Sequence, residues 1–189
     1  MLISHKYKFI FIHVHRTGGT SIMNLLKREL RTDVDEISEH GNVNSSERIL
    51  IEENPDYKII GMVRNPWDRI LSWYCLINKW NDYTIEESSV EFQKFLELKL
   101  AAKPNDPYFH YNQLDYFPST YSKRISLYRF EDLEEETKKM FSLINVDVGK
   151  IPHTNMTEKK EYQDYYSPES KELVSNMCKR DISYFKYLF

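Results

Sequence analysis

The residues of this sequence best suited to chemistry begin at Arg16, where an apolar run ends in a short loop of glycine and hydroxyl side chains. The run at 7–14 predicts a buried strand, and the apolar spacing at 22–30 predicts a helix. A strand, a glycine-rich turn and a helix N-terminus in this order form an anion site, because backbone N–H groups converge on the ligand. The residues predicted to bind a phosphate in this loop are Arg16, Thr17, Gly18, Gly19, Thr20 and Ser21.

A second basic segment follows another apolar run. Residues 57–63 predict a strand, Arg64 stands at its end, and Pro66 suits the first turn of the next helix. Two anion sites on one α/β unit predict a ligand with two separated phosphate groups. Strands that alternate with helices along the chain predict a mostly parallel sheet with helices on both faces. A further short strand is predicted at 125–128, and further helices, the last of them closing the chain, at 90–100, 133–144 and 168–185.

The loop departs from the Walker A pattern of nucleotide kinases. Val14 stands where that pattern has its first glycine, and Thr20 stands where it has its lysine. The second predicted strand runs into Arg64 rather than into an aspartate that could hold Mg²⁺. The loop therefore predicts phosphate binding without the residues that hold Mg²⁺ in kinases. A kinase is the alternative, and dependence on ATP and Mg²⁺ would distinguish it.

Two segments resemble motifs of sulfotransferases that use 3′-phosphoadenosine 5′-phosphosulfate (PAPS). The loop at 16–21 resembles the 5′-phosphosulfate loop of that family. Residues 64–74 match the family's 3′-phosphate motif, Arg-Asn-Pro-x-x-Arg-x-x-Ser-x-Tyr, at every position. Further similarity extends over most of the chain and indicates the carbohydrate type, including the 2-O-sulfotransferase-like group. It lies at 128–133, 153–155, 165–167, Asp181 and Phe185.

The resemblance implies a P-loop-like α/β fold, a three-layer sandwich with a central, mostly parallel sheet flanked by helices. The chain is expected to form a single sulfotransferase domain over residues 1–189. PAPS is the implied cofactor, and it leaves as 3′,5′-adenosine bisphosphate (PAP). Arg64 and Ser72 are the implied ligands of its 3′-phosphate, since Ser72 lies two turns into the predicted helix. The implied reaction is a direct in-line transfer of the sulfuryl group to an acceptor hydroxyl on a glycan or other carbohydrate.

The acceptor hydroxyl needs a base, and histidine suits proton transfer at neutral pH. His40 follows a short predicted strand, and in the resembling family a catalytic histidine lies at about this place. We therefore expect His40 to be the catalytic base, with Glu39 as a fallback. His13 and His15 point the same way by strand alternation, so we expect one of them to contact the loop; either could be the base instead.

The family usually has lysine where this chain has Arg16. That lysine contacts the oxygen between sulfate and phosphate, and arginine keeps the charge on a wider, planar donor fork. Arg16 is therefore expected to stabilise the leaving group during catalysis; a protein that binds the nucleotide without turnover is the alternative. Lys159 and Lys160 could cover the cofactor or form a solvated pair of charges, and His153 could order the same tail loop.

Charge and composition narrow the partners further. The chain has 26 basic and 29 acidic residues, a net charge of −3, which argues against a nucleic-acid partner. The histidines lack a metal-binding pattern, so no metal is expected. No apolar run reaches the ~20 residues of a membrane span, and no signal-peptide pattern occurs, which predicts a cytoplasmic, bacterial protein. Aromatic residues at 108–117 could stack on sugar rings or form core, and His110 could contact the acceptor. Cys75 and Cys178 are expected to be reduced thiols.

Overall fold

The computed structural model forms two compact units. One unit consists of Met1–Arg64 and Asp115–Thr154, and the other of Asn65–Leu114 and Asn155–Phe189. The residues that the structure describes are 1–40, 46–77, 85–101, 107–110, 112–117, 119–146 and 161–189.

The first unit is built on a mixed five-stranded sheet. Its strands are β1 (Leu2–Ser4), β2 (Phe9–Ile12), β3 (Asp35–Glu36), β4 (Lys58–Val63) and β5 (Ile125–Arg129). They lie in the order β3-β1-β2-β4-β5. The neighbours β2, β4 and β5 are parallel, as the alternation of strands and helices predicts. The short β1 was not predicted, and it pairs antiparallel with both β2 and β3.

The helices follow the predicted positions closely. In chain order they are α1 (Gly19–Leu30), α2 (Ser46–Glu53), α3 (Pro66–Ile77), α4 (Ile85–Ala101), α5 (Pro107–His110), α6 (Leu133–Leu143), α7 (Pro168–Met177) and α8 (Lys179–Phe185). The first unit contains α1, α2 and α6, and the second contains the others. One prediction was wrong, because the expected closing helix at 168–185 is interrupted at Cys178. None of the described helices has the length and apolar character required to cross a membrane.

The main core of the first unit lies on the face of the sheet that packs against α1 and α6, because alternate side chains of each strand point to that face. Phe11 of β2 is fully buried in one cluster with Leu26 of α1 and Phe141 of α6. Gly61 of β4 alternates onto the opposite face, where an added Cβ would come 2.5 Å from the Phe117 ring. Phe117 is thus a core residue on this second face of the sheet.

The second unit has its own aromatic core. Its helix α3 begins with an Asn cap, because the Asn65 side-chain oxygen accepts a hydrogen bond from the Trp67 N–H at 3.1 Å. The buried carboxylate of Asp181 accepts hydrogen bonds from the backbone N–H groups of Gln113 at 2.6 Å and Leu114 at 3.1 Å. Both cysteines are free thiols, as predicted. The fully buried members of the core are Ile70, Phe92, Leu96, Phe109, Val174 and Cys178.

Candidate active site

The predicted site residues of the first unit converge on one edge of its sheet. Because β2, β4 and β5 are parallel, the segments that follow them leave from the same edge. The strand β3 runs in the same direction as β2, since both are antiparallel to β1, and the chain after β3 leads to His40. The carboxyl edge of parallel strands is where open α/β sheets bind their ligands.

The predicted phosphate loop turns sharply between β2 and α1. Arg16 and Gly18 both have positive φ, 66° and 76°. Glycine adopts this conformation freely, whereas a residue with a Cβ does so at a cost of about 1–2 kcal/mol. The buried Thr17 hydroxyl donates to the Val14 carbonyl at 3.0 Å, so this side chain stabilises the turn.

The N-terminus of α1 presents N–H groups to the loop. The Gly18 carbonyl accepts the Ser21 N–H at 3.0 Å, whereas Gly19 and Thr20 have N–H groups that the helix itself cannot satisfy. Thr20 is exposed and Ser21 half-buried, and no acidic residue lies in the first turn. An anion at this point is stabilised both by the N–H groups and by the helix dipole.

Both loop glycines are also required by packing. A Cβ at Gly19 would overlap the His13 ring, and a Cβ at Gly18 would come 2.7 Å from the Phe130 ring. The sequence predicts these glycines for close approach of the backbone to a ligand. The structure adds that ring side chains occupy the space beside them.

Arg64 lies directly beside the loop. Its side chain is almost fully buried at 5 % exposure, its guanidinium stands 4.3 Å above the Phe130 ring, and one of its nitrogens donates to the Arg16 carbonyl at 3.3 Å. The aromatic face attracts the cation and limits its movement. Phe130 lies in the segment 128–133 that resembles the family, but the sequence analysis predicted no role for its ring.

Three histidine rings form a cluster beside the loop. The His40 ring centroid lies 4.3 Å from that of His13 and 3.7 Å from that of His15. His13 and His15 thus point the same way, as strand alternation predicts. The Nδ1 of His13 donates to the Glu39 carbonyl at 2.6 Å, and this bond ties the segment before His40 to the ring that packs on Gly19.

The environment of His40 favours its neutral form. Burial lowers the pKa of His40; the Glu39 carboxylate opposes this effect, and the positive charges of the N-terminus and Arg16 add to it. Burial and the neighbouring His40 lower the pKa of His13 to about 4. A neutral imidazole at pH 7 can accept a proton, and the His40 side chain is 30 % exposed. Glu39, the fallback base, has its Oε1 3.8 Å from the His40 Nε2.

Several predicted residues belong to the second unit or lie outside the described residues. Ser72 is buried on α3 of the second unit, whereas Arg64 belongs to the first, so their joint contact with one phosphate stays a prediction. The His110 Nε2 donates to the Lys99 carbonyl at 2.9 Å within the second unit. His153, Lys159 and Lys160 lie outside the described residues.

Aromatic residues of the 108–117 segment fill core positions. Phe109 is fully buried, and Tyr116 and Phe117 are 1 % and 6 % exposed. This matches the core interpretation of the segment for these three residues. Tyr116 has a polar contact that the sequence did not predict, because its hydroxyl lies 2.6 Å from the His15 Nδ1.

Comparisons with known proteins agree with the predicted fold. No curated protein matches the chain with significant sequence similarity. Mouse sulfotransferase SULT7A1 complexed with PAP is 12% identical, with a TM-score of 0.53 over 95% of this chain and 86% of that one. A sulfotransferase from Alicyclobacillus acidocaldarius is 13% identical, with a TM-score of 0.49 over 93% and 92% of the two chains. The likeness to the mouse structure confirms the predicted fold class. The sulfotransferase family model matches residues 1–188, so the chain belongs to the sulfotransferase family, a family of enzymes that transfer a sulfuryl group.

Proposed function

We propose that this enzyme transfers the sulfuryl group of PAPS to a hydroxyl group of a carbohydrate and releases PAP. The observation on which the proposal depends is the meeting of three groups at one sheet edge. These are the α1 N-terminus, the buried Arg64 cation and the half-buried His40 imidazole. The PAP bound to the mouse SULT7A1 structure supports this choice of nucleotide. We also propose that both units belong to one sulfotransferase domain, since the family match spans them.

The first unit has the donors that such a nucleotide requires. When bound, PAPS supplies a sulfuryl group attached to a phosphate that departs with the nucleotide. Arg16 and the N–H groups of Gly19 and Thr20 would hold that phosphosulfate and its developing charge, which is stabilisation by preorganised donors. Arg64, fixed over Phe130, would hold the 3′-phosphate. Ser72 is the proposed second ligand of that phosphate.

His40 is the proposed general base. It would take the proton of the acceptor hydroxyl as the oxygen attacks sulfur, and the resulting imidazolium would face the Glu39 carboxylate. Its lowered pKa leaves His40 unprotonated at neutral pH, in the form that accepts the proton. Glu39 itself is 85 % exposed, so its carboxylate is solvated.

The carbohydrate acceptor rests on the motif resemblance. The aromatic side chains at Phe109, Tyr116 and Phe117 are buried and give no stacking surface of their own for a sugar ring. The acceptor is therefore best identified by experiment.

Transfer from ³⁵S-labelled PAPS to a panel of unsulfated polysaccharides and simple glycosides tests the proposed function. The expected result is label on at least one sugar acceptor with the wild-type enzyme and none with His40→Ala. Labelling of phenols alone would contradict the carbohydrate assignment. Equal labelling by His40→Ala would contradict the assignment of the base.

A further inference from the structure

His15 is a buried histidine that the proposed reaction does not use. It is 9 % exposed and lies three residues beyond the end of β2, in the turn that leads into the phosphate loop. Its Nδ1 lies 2.6 Å from the Tyr116 hydroxyl, and Tyr116 is itself 1 % exposed. The His15 ring also stacks on the His40 ring, with 3.7 Å between the centroids and 30° between the planes.

The neighbouring His13 has a structural task that His15 does not share. His13 fills the space beside Gly19 and donates to the Glu39 carbonyl, so it fixes the backbone on which His40 stands. His15 has a polar contact with a residue 101 positions away, and its own ring stacks on that of His40. Burying an imidazole and a phenol hydroxyl costs free energy that their mutual hydrogen bond offsets, so the contact fixes ring orientation.

A catalytic imidazole must be held in one orientation, and a hydrogen bond to its Nδ1 often does this. In serine hydrolases a carboxylate bound to Nδ1 holds the catalytic histidine in place. The Nδ1 of His40 is buried and has no hydrogen-bond partner among the described residues. The flat contact with His15 is the tightest ring contact that His40 makes within the part of the chain the structure describes.

We propose that His15 is a positioning residue for His40, and that the Tyr116 hydroxyl fixes His15 for this task. The inference rests on the proposed function, in which His40 is the base. The stacked ring takes the place of an Nδ1 hydrogen bond and keeps the His40 Nε2 directed at the acceptor. The Tyr116 hydroxyl does not contact His40 in this scheme; it orients His15, and His15 orients His40.

Nuclear magnetic resonance of the histidine Cε1–H groups tests the contact without any acceptor. The His40 signal is assigned as the one that His40→Ala removes. Tyr116→Phe keeps the ring and deletes only the hydroxyl, and it is expected to shift or broaden both the His15 and the His40 signals. An unchanged His40 signal beside a shifted His15 signal would overturn the proposal.

Kinetic measurements with the best acceptor test whether loss of this positioning lowers kcat. Tyr116→Phe is expected to lower kcat about threefold to tenfold, the loss equivalent to one neutral hydrogen bond. His15→Ala is expected to lower kcat by up to ~10²-fold, the effect of a displaced catalytic group. His15→Phe keeps a flat ring and should lose less than His15→Ala. The KM for PAPS and the Kd for PAP should not change in any of the three.

The double variant separates positioning from a general loss of structure. If Tyr116 acts through His15, His15→Ala/Tyr116→Phe should have the kcat of His15→Ala alone. Independent, multiplying losses, or losses in PAP binding that parallel those in kcat, would overturn the proposal. Wild-type binding of PAP is the separate test of the proposed function: if it fails while the His40 signal moves in Tyr116→Phe, the histidine contact stands and the cofactor assignment falls.

Discussion

Arg16 is the residue whose identity bears most directly on turnover. It stands in the loop at φ 66°, and its carbonyl accepts a hydrogen bond from Arg64. Arg16→Lys keeps the charge and the backbone conformation, so we expect kcat to stay within about tenfold of wild type, whereas Arg16→Ala should lose ~10²–10³-fold. Initial rates of ³⁵S transfer measure both. A large gain in rate for Arg16→Lys would indicate that the natural protein binds the nucleotide without efficient turnover.

As the proposed general base, His40 is expected to determine how the rate falls at acid pH. Histidine in a peptide has a pKa of about 6.5, and burial lowers the pKa of His40 below that value. The base is active when neutral, so kcat should stay level as the pH falls to about 6.5 and drop only below the lowered pKa. His40→Ala should abolish turnover and leave the Kd for PAP nearly unchanged. If the residual activity of His40→Ala still falls at acid pH, that fall is due to the titration of another group.

At the scale of elements, the start of α1 depends on a ring packed against its first residue. Gly19→Ala would place a Cβ inside the His13 ring, so His13 or the helix must shift. Overpacking of this kind costs about 1–3 kcal/mol of unfolding free energy, measurable by urea denaturation. Asn24→Ala, at an exposed position of the same helix, is the control and should not destabilise the protein. Equal stability of Gly19→Ala and wild type would show that the ring moves aside freely.

Helix α8 is tied to residues 113–114 by the buried carboxylate of Asp181. Asp181 accepts N–H groups from Gln113 and Leu114, and burial raises its pKa. In Asp181→Asn one oxygen becomes a donor that faces an N–H group, so we expect a loss of about 1–3 kcal/mol in urea denaturation at pH 7. The exposed Asp164→Asn is the control. The loss should grow towards acid pH, because the raised pKa means that native Asp181 binds a proton more tightly than it does in the unfolded chain, so protonation stabilises the wild type and not Asp181→Asn. A loss that shrinks towards acid pH would contradict this.

The elements were mostly predictable, because their signals are local. The loop at 16–21 and the Pro66 helix start each depend on neighbours within a few residues, and both lie where the sequence predicts. The strand β1 was missed because three residues carry no periodicity and its pairing depends on distant β3. The break at Cys178 was missed because the apolar spacing continues across it.

Across the whole molecule, the contacts that define the candidate site are long-range and could not be read from spacing. His40 is 25 residues from His15, and Tyr116 is a further 76 residues along the chain, yet the three side chains form one contact series. Sequence reasoning placed His40 and the loop residues as candidates. The spacing could not predict that His15 stacks on His40 or that Phe130 lies against Arg64, since both contacts follow from strand order in the sheet.

The property on which the proposed function depends is binding of a nucleotide with separate 5′ and 3′ phosphate groups. The measurement that tests it most directly is thermal stabilisation by PAP beside AMP, ADP and ATP–Mg²⁺, on wild type and Arg64→Ala. A ligand at ~100 times its Kd adds about 2.7 kcal/mol to the unfolding free energy, which gives a clear rise in Tm. We predict a rise with PAP that is lost in Arg64→Ala. A rise with ATP–Mg²⁺ alone would contradict the claim and indicate a phosphoryl-transfer enzyme.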